Sequence, residues 1–423
     1  MTGQRLESVF ESTTASIDAS DDEATALVAL GQSLAATTGW GKDSDDSPDA
    51  SVLDVQREIV SGKVRLRVRD AIGALSVPGL QIEVHPKIPL PHFAWIAASA
   101  RPDFRLNERE QLALQLAPTF QELLCSWFIT RTESVLAAGL SSDYREVEAP
   151  TAAVRGRISL APTLQAFYRG SPSTTARFDV FDEDTALNRL LRGAAHAALR
   201  MTHDDALRAR ARRVARQLGH VSEHTSADMH ATPERRTGHY SEAVSLAKWI
   251  LRSGGRSLRG GSESSWAFLV PTPSLIEKGL LGIIRREVPE YEPRPRSISL
   301  QGLRAGINPD IVFGGENPCA LADVKYKLWD DSWARADLYE VVAFAAGLGV
   351  EQAALISFSP SSAQPKQTSH FGDIRVADLV WRTGDGTEPV IAEKDFIRDL
   401  QHWLLPCSPR LSSEGRPSQL LLT

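Results

Sequence analysis

The stretch INPDIVFGGENPCALADVKYKLWDD, residues 307–331, decides how the last third of the chain reads. INPDIVF and CALADVKYK have the composition of neighbouring strands, and the glycines and proline between them read as the turn that joins them. Asp310 follows a proline, and Asp323 stands two residues before Lys325. Side chains alternate along a strand, so Asp323 and Lys325 belong to one face. The 12 residues between the two aspartates leave room for the turn, which puts both carboxylates on adjacent strands.

Outward from this stretch the order of elements is regular. TPSLIEKGLLGIIRRE has helical apolar spacing, SISLQGL reads as a strand, and SWARADLYEVVAFAAGLG reads as a helix closed by glycine. AALISFS and IRVADLVW are further strands. Helix, three strands, helix, strand predicts a mixed sheet with helices on its faces.

Two carboxylates meeting at strand ends suit a magnesium ion, which takes few protein oxygens and keeps positions for water and phosphate. A lysine on the same face can orient a water or offset charge developing on a phosphate. Glu277, on the preceding helix, is a further candidate ligand or water-positioning base, although such a residue alone is more often a solvated helix charge. The bland alternative for the whole set is charge at strand ends. A Pro-Asp pair carries no signal, since Pro48-Asp49 and Pro102-Asp103 have it too. An acid two residues before a lysine says more: of the nine lysines only Lys325 has one. Nine lysines among 47 basic residues leave 38 arginines, so lysine is the rarer cation here.

The whole chain sets the frame. At 423 residues it predicts two or three domains. With 42% hydrophobic and 24% charged residues it has a soluble protein's composition, and no apolar run nears the roughly 20 residues of a membrane span. MTGQRLESVFESTT lacks the basic-then-apolar pattern of a secretory leader, which predicts a cytoplasmic setting and no membrane partner. Cys125, Cys319 and Cys407 are spaced like neither a zinc site nor a disulfide framework. A net charge of −6 excludes a uniformly basic nucleic-acid binder and leaves room for a local basic groove. GWGKDS is not a phosphate-binding loop, because Asp43 stands where Ser or Thr should hold magnesium, so nucleotide hydrolysis by this chain is not expected.

The predicted organisation is α/β and multidomain. Residues 1–50 read as a tail, a helix and an acidic linker, and 51–150 as a β-rich domain with helices. There VLDVQREIV, KVRLRVRD and LQIEVHPKI alternate like a small antiparallel sheet. Residues 151–265 read as a mainly helical, arginine-rich region, with Arg189, Arg192, Arg200, Arg208, Arg210, Arg212, Arg213 and Arg216 forming either a solvated face or a contact for phosphate or partner. Glycines and serines at 253–265 read as a linker. Residues 266–400 form the α/β domain around the two aspartates, and 401–423 a tail.

The chain resembles McrC, the nuclease subunit of McrBC modification-dependent (type IV) restriction systems. The resemblance runs in order through AIGALSVPGLQIEVHPKI (71–88), VRGRISL (154–160), VFDEDTALNRLLRGA (180–194), YSEAVSLAKWIL (240–251), FLVPTPSLIEKGL (268–280) and the block NPDIVF, LADVKYK, DLYEVVAFA. It implies a C-terminal PD-(D/E)xK restriction-endonuclease-like domain, with Asp310, Asp323 and Lys325 as catalytic residues, Glu277 as the helix acid, and Mg2+ held by Asp310, Asp323 and Glu277. Lys327 and Asp337 fall where related sequences often have a second lysine and an Asp-Leu-Tyr helix start. Related nucleases often carry Gln and Tyr on that helix where this chain has Glu340 and Phe344. The implied partners are a hexameric McrB-like AAA+ GTPase, which this chain would stimulate, and methylated double-stranded DNA. Two alternatives stay open: a non-catalytic assembly or activating subunit of such a complex, and a standalone repair-type DNA nuclease.

Overall fold

The computed structural model describes residues 5–407 apart from 39–51, 59–62, 102–105, 108–109, 112–113, 115–116, 154, 171–172, 254–264, 300–305, 329–332, 361–365 and 385. Both expected linkers fall almost wholly outside the described residues. No helix among those described is long and apolar enough to cross a membrane.

The chain divides into two compact units. One comprises Met1–Gly73, Val77–Leu116 and Val270–Thr423, and the other Ala74–Ser76 and Ala117–Leu269. The expected 51–150 division is therefore split between them. Its early part joins the C-terminal third through packing that no local composition reveals.

The first unit opens with β1 (Arg5–Phe10), β2 (Thr14–Ile17), α1 (Asp21–Thr38), β3 (Leu53–Arg57), β4 (Val64–Val68), β5 (Ala71–Val77), β6 (Leu80–His85) and α2 (Leu90–Ser99). β4 pairs antiparallel with both β2 and β3. β6 departs from the antiparallel expectation: it runs parallel to β1. LQIEVH looks half-polar, yet Gln81 is buried with its apolar neighbours, as in a strand covered on both faces.

The second unit contains α3 (Phe120–Ala138), β7 (Asp143–Thr151), β8 (Arg157–Ile158), α4 (Leu160–Tyr168), β9 (Thr174–Asp182), α5 (Ala186–Met201), α6 (Asp205–Gln217) and α7 (Ser241–Ser253). Helices α3, α5, α6 and α7 bury Trp127, Phe128, Leu190, Leu191, Val214 and Ile250. The expected helical middle also holds an antiparallel sheet in which β9 lies between β7 and β8. The arginines divide. Arg189 pairs with Asp228 at 2.7 Å and Arg210 with Glu133 at 2.7 Å, so these two are structural. Arg212, Arg213 and Arg216 face solvent.

The chain returns to the first unit near the end of β10 (Trp266–Pro271), at Val270, and continues with α8 (Pro273–Glu287), β11 (Ile298–Ser299), β12 (Gly306–Ile307), β13 (Ile311–Phe313), β14 (Ala320–Leu328), α9 (Arg335–Leu348), β15 (Gln352–Ser359), β16 (Ser369–Phe371), β17 (Ile374–Arg382) and α10 (Pro389–Leu404). The last five strands form a sheet ordered β13-β14-β15-β17-β16. Its outer pairs are antiparallel and β14, β15 and β17 are parallel, the mixed sheet that the element order predicts. α9 is the crossover that parallel β14 and β15 require. It ends at Gly349, whose φ of 67° suits glycine best.

Leu321 and Val312 on the sheet pack with Leu338, Val341 and Phe344 of α9. On the other face, Tyr326 lies between Phe93 of α2, tilted to it with ring centroids 6.4 Å apart, and Phe358 of β15, edge-to-face at 5.5 Å. α8 lies backbone to backbone with α2, because a Cβ on Gly279 would sit 2.2 Å from the Ile96 carbonyl oxygen. Alanine there would gain roughly 1 kcal/mol in helix propensity. The clash is with main chain that cannot swing aside, and overpacking costs roughly 1–3 kcal/mol. Gly279→Ala should therefore lower the denaturation midpoint, and an unchanged midpoint would show that the two helices part freely.

Candidate active site

The antiparallel register of β13 and β14 pairs Ile311 with Ala322, Val312 with Leu321 and Phe313 with Ala320. Continued one residue, it sets Asp310 opposite Asp323. Directly opposed side chains have Cβ atoms about 5 Å apart, and like charges there repel. Asp310 Oδ2 accepts the backbone N–H of Val324 at 2.8 Å, which fixes its carboxyl against β14. Asp323 and Lys325 share the α9 side of the sheet with Leu321, so the apolar layer beneath α9 ends in a charged rim.

Lys325 Nζ lies 2.7 Å from Asp323 Oδ2 and 2.6 Å from Glu340 Oε2 on α9. Only the second contact is an aligned hydrogen bond. The first is a close ion pair with the more buried of the two carboxylates, so the ammonium bridges Asp323 and Glu340. Lys327, on the same face, pairs outside the site with Asp337 at 2.9 Å.

The carboxyls influence one another. Burial, then the charge of Asp310, pushes the Asp323 pKa above the usual carboxylate range. Burial, then Glu277, raises Asp310. Burial, then Asp323, raises Glu277, which faces the pair from α8. Burial opposes the charge on Lys325, but Asp323 and Glu340 together hold its pKa above the ordinary lysine value.

All four expected residues thus come into one neighbourhood. Among the described residues, however, no three His, Cys, Asp or Glu side chains form a ready-made metal cage. Asp310 and Asp323 offer a two-carboxylate site, with Glu277 close enough to be felt electrostatically. Two opposed carboxylates whose burial and mutual charge raise both pKa values fit a hard cation that keeps most of its water, as magnesium does.

Behind the site is a group that sequence reading missed. Glu11 is fully buried and accepts from Tyr326 OH at 2.7 Å, from the backbone N–H of Lys87 at 3.1 Å and from Thr272 Oγ1. Lys87 Nζ donates to the Tyr326 carbonyl at 3.3 Å and lies 4.9 Å from the ring centre. Burial raises the Glu11 pKa, while Lys87 and the donors act against that rise. Nothing in the sequence around Glu11 marks it, because its partners are remote.

The family described as "McrBC 5-methylcytosine restriction system component" matches residues 66–357. The type IV methyl-directed restriction enzyme EcoKMcrBC of Escherichia coli K12 is 26% identical over 214 residues, covering 44% of this chain and 59% of that relative. The match therefore spans less than two thirds of the relative's length. A chain of the half-complex from a tetradecameric assembly of Thermococcus gammatolerans McrB AAA+ hexamers with bound McrC shares the fold, with a TM-score of 0.64. It is 17% identical, and the match covers 94% of this chain and 100% of that one.

The raised carboxylates set a stability test. A carboxyl whose folded pKa lies above its unfolded one costs stability as pH rises from the unfolded value through the folded value. At neutral pH, without metal, that cost is present. Asn in place of Asp310 removes the charge and keeps an oxygen for the Val324 N–H. Metal-free Asp310→Asn should thus melt above wild type at neutral pH, with the gain shrinking toward about pH 4, where Asp takes a proton in either state. A lower melting temperature at neutral pH would refute the repulsion.

Proposed function

This chain belongs to the McrBC 5-methylcytosine restriction system component family, and we propose that it is the DNA-cutting subunit, a magnesium-dependent endonuclease that also stimulates an AAA+ GTPase. The observation that carries this reading is the opposed Asp310 and Asp323 with Lys325 beside them on the same strand face. Burying facing carboxylates costs stability, and perturbed groups of this kind cluster at functional sites.

In this reading residues 266–400 are a PD-(D/E)xK-type domain. Asp310 would hold magnesium through the carboxylate oxygen not committed to the Val324 N–H, and Asp323 through its carboxylate. When bound, the ion would supply a positive charge that polarises the scissile phosphate. Lys325 presents its ammonium to the phosphate and orients the attacking water. Glu277, its carboxyl raised by burial, would accept a proton from that water.

The partner would be a hexameric McrB-like AAA+ GTPase, supported by the McrB hexamers with bound McrC in the archaeal assembly of like fold. We assign that contact to residues 151–265. There Leu160, Leu164, Phe167, Tyr168 and Phe181 are exposed, an apolar surface of the kind that marks interaction sites. The methyl-directed relative supports methylated double-stranded DNA as substrate.

The test is cleavage of methylated DNA by the purified chain with its AAA+ partner, GTP and Mg2+. Asp310→Asn and Asp323→Asn should abolish cutting. Lys325→Arg should cut about 100- to 1,000-fold more slowly, since a wide guanidinium cannot take the place of a compact ammonium beside a positioned water. In a chain that uses arginine for most of its cations, arginine would serve as well if only charge were needed. Stimulation of the partner's GTPase should survive all three changes. Cutting at the wild-type rate by either aspartate variant would end the reading. A wild-type chain that stimulates the partner but never cuts would make it an activating subunit instead.

A further inference from the structure

Five arginines of the second unit are left over once its ion pairs are drawn. Residues 186–220, which span the α5–α6 hairpin, hold eight arginines and two acids, Asp204 and Asp205. Arg189 is tied to Asp228 and Arg210 to Glu133, while Arg208 donates to the Thr202 carbonyl and lies 3.8 Å from Asp205. Arg192, Arg200, Arg212, Arg213 and Arg216 form no ion pair with a described residue. The last four are exposed, and half-buried Arg192 has an Nε without a hydrogen-bond partner. On α5, Arg192 and Arg200 stand one turn to either side of His196. Burial and then their two charges hold the His196 pKa down, with Glu223 acting against them. On α6, Arg212, Arg213 and Arg216 lie opposite the buried Leu207, Ala211 and Val214.

Like charges one turn apart on a helix repel, so the arrangement costs the free chain stability. Favourable charge in a last helical turn accounts for Arg200 and Arg216 and leaves the other three unexplained. We infer that the solvent side of the α5–α6 hairpin is a contact for the phosphate backbone of double-stranded DNA, one that holds the duplex without reading its sequence. This rests on the nuclease reading above, which supplies DNA as substrate. A protein partner would need an apolar centre. The other exposed positions along this part of α6 are Ala206, Ala209 and Gln217, and the apolar surface assigned to the AAA+ partner lies on α4 and β9. Interfaces with DNA are instead strongly positive, and a guanidinium fork matches phosphate oxygens two at a time. In a chain of net charge −6, a local cluster of cations without acids draws the duplex to one place.

The experiment is fluorescence anisotropy of a labelled duplex, methylated or not, titrated with the full chain across a range of salt concentrations, without partner or metal. Each phosphate contact adds about 0.9 to the fall of log affinity with log salt. Arg212→Gln, Arg213→Gln and Arg216→Gln combined should make that slope shallower by about 2–3 and weaken binding at least 10-fold at about 100 mM salt. The loss should be equal for methylated and unmethylated duplex, because backbone contacts carry no base information. Lysine at the same three positions keeps the charge and should keep the slope. Arg213→Gln alone should remove about 0.9 from the slope and carries the test if the triple variant folds poorly. Arg398→Gln, at an exposed cation of α10, is the control and should change nothing.

An unchanged slope in the glutamine variants would overturn the inference, and so would a wild-type chain with no affinity for the duplex. Unchanged DNA affinity together with lost stimulation of the partner's GTPase would overturn it in favour of a protein contact on this face. Failure of the nuclease reading is read separately. Cutting that survives Asp310→Asn, by a chain whose DNA affinity still falls with the arginines, would remove the candidate active site and leave this surface standing.

Discussion

A fully buried carboxylate is tolerable only if donors surround it, since one left without them costs several kcal/mol. Glu11 has three, and they come from places far apart in the chain: the N–H of Lys87 before α2, the hydroxyl of Thr272 before α8, and the hydroxyl of Tyr326 within β14. Tyr326 directly follows Lys325, so the hydrogen bond that satisfies Glu11 also fixes the back of the strand whose front bears Asp323 and Lys325. The close approach of α2 and α8 at Gly279 belongs to the same constraint, because α8 carries Glu277. The strand that bears Asp323 and Lys325 and the start of the helix that bears Glu277 are thereby tied to the N-terminal segment.

The sheet shows how a charged site is accommodated in an apolar layer. Along the α9 face of β14, Leu321 is buried in the core, and Asp323 and Lys325 follow at successive two-residue steps. The inner half of the face provides hydrophobic burial and the outer half carries the charges of the candidate site. Opposed Asp310 and Asp323 break the rule that facing residues should attract, and Lys325 offsets that only in part. Departures of this kind are expected where function, rather than stability, selects the residue.

Asp310, Asp323 and Lys325 were legible because everything that places them is local: a short hairpin, a period of two, and one lysine with an acid two residues earlier. The order of elements around them was legible for the same reason. Glu340 was visible only as an acid where related nucleases often have glutamine, and its contact with Lys325 depends on how α9 lies over β14. Glu11 was invisible, as was the parallel pairing of β1 with β6, because both depend on partners that sequence periodicity does not identify. β7 escaped notice because DYREVEAPT is exposed along most of its length and has no buried face to alternate with. The eight arginines seen as one face serve at least two purposes, since Arg189 and Arg210 are tied to Asp228 and Glu133.

Glu11 and Tyr326 are 315 residues apart, and Glu11 and Thr272 are 261 apart. Glu11 therefore precedes both hydroxyls that bond it by most of the chain, while its third donor, the Lys87 N–H, is 76 residues away. Pairings over such distances are entropically late in folding. The buried carboxylate thus has its full set of donors only once residues as far as Tyr326 have joined the chain.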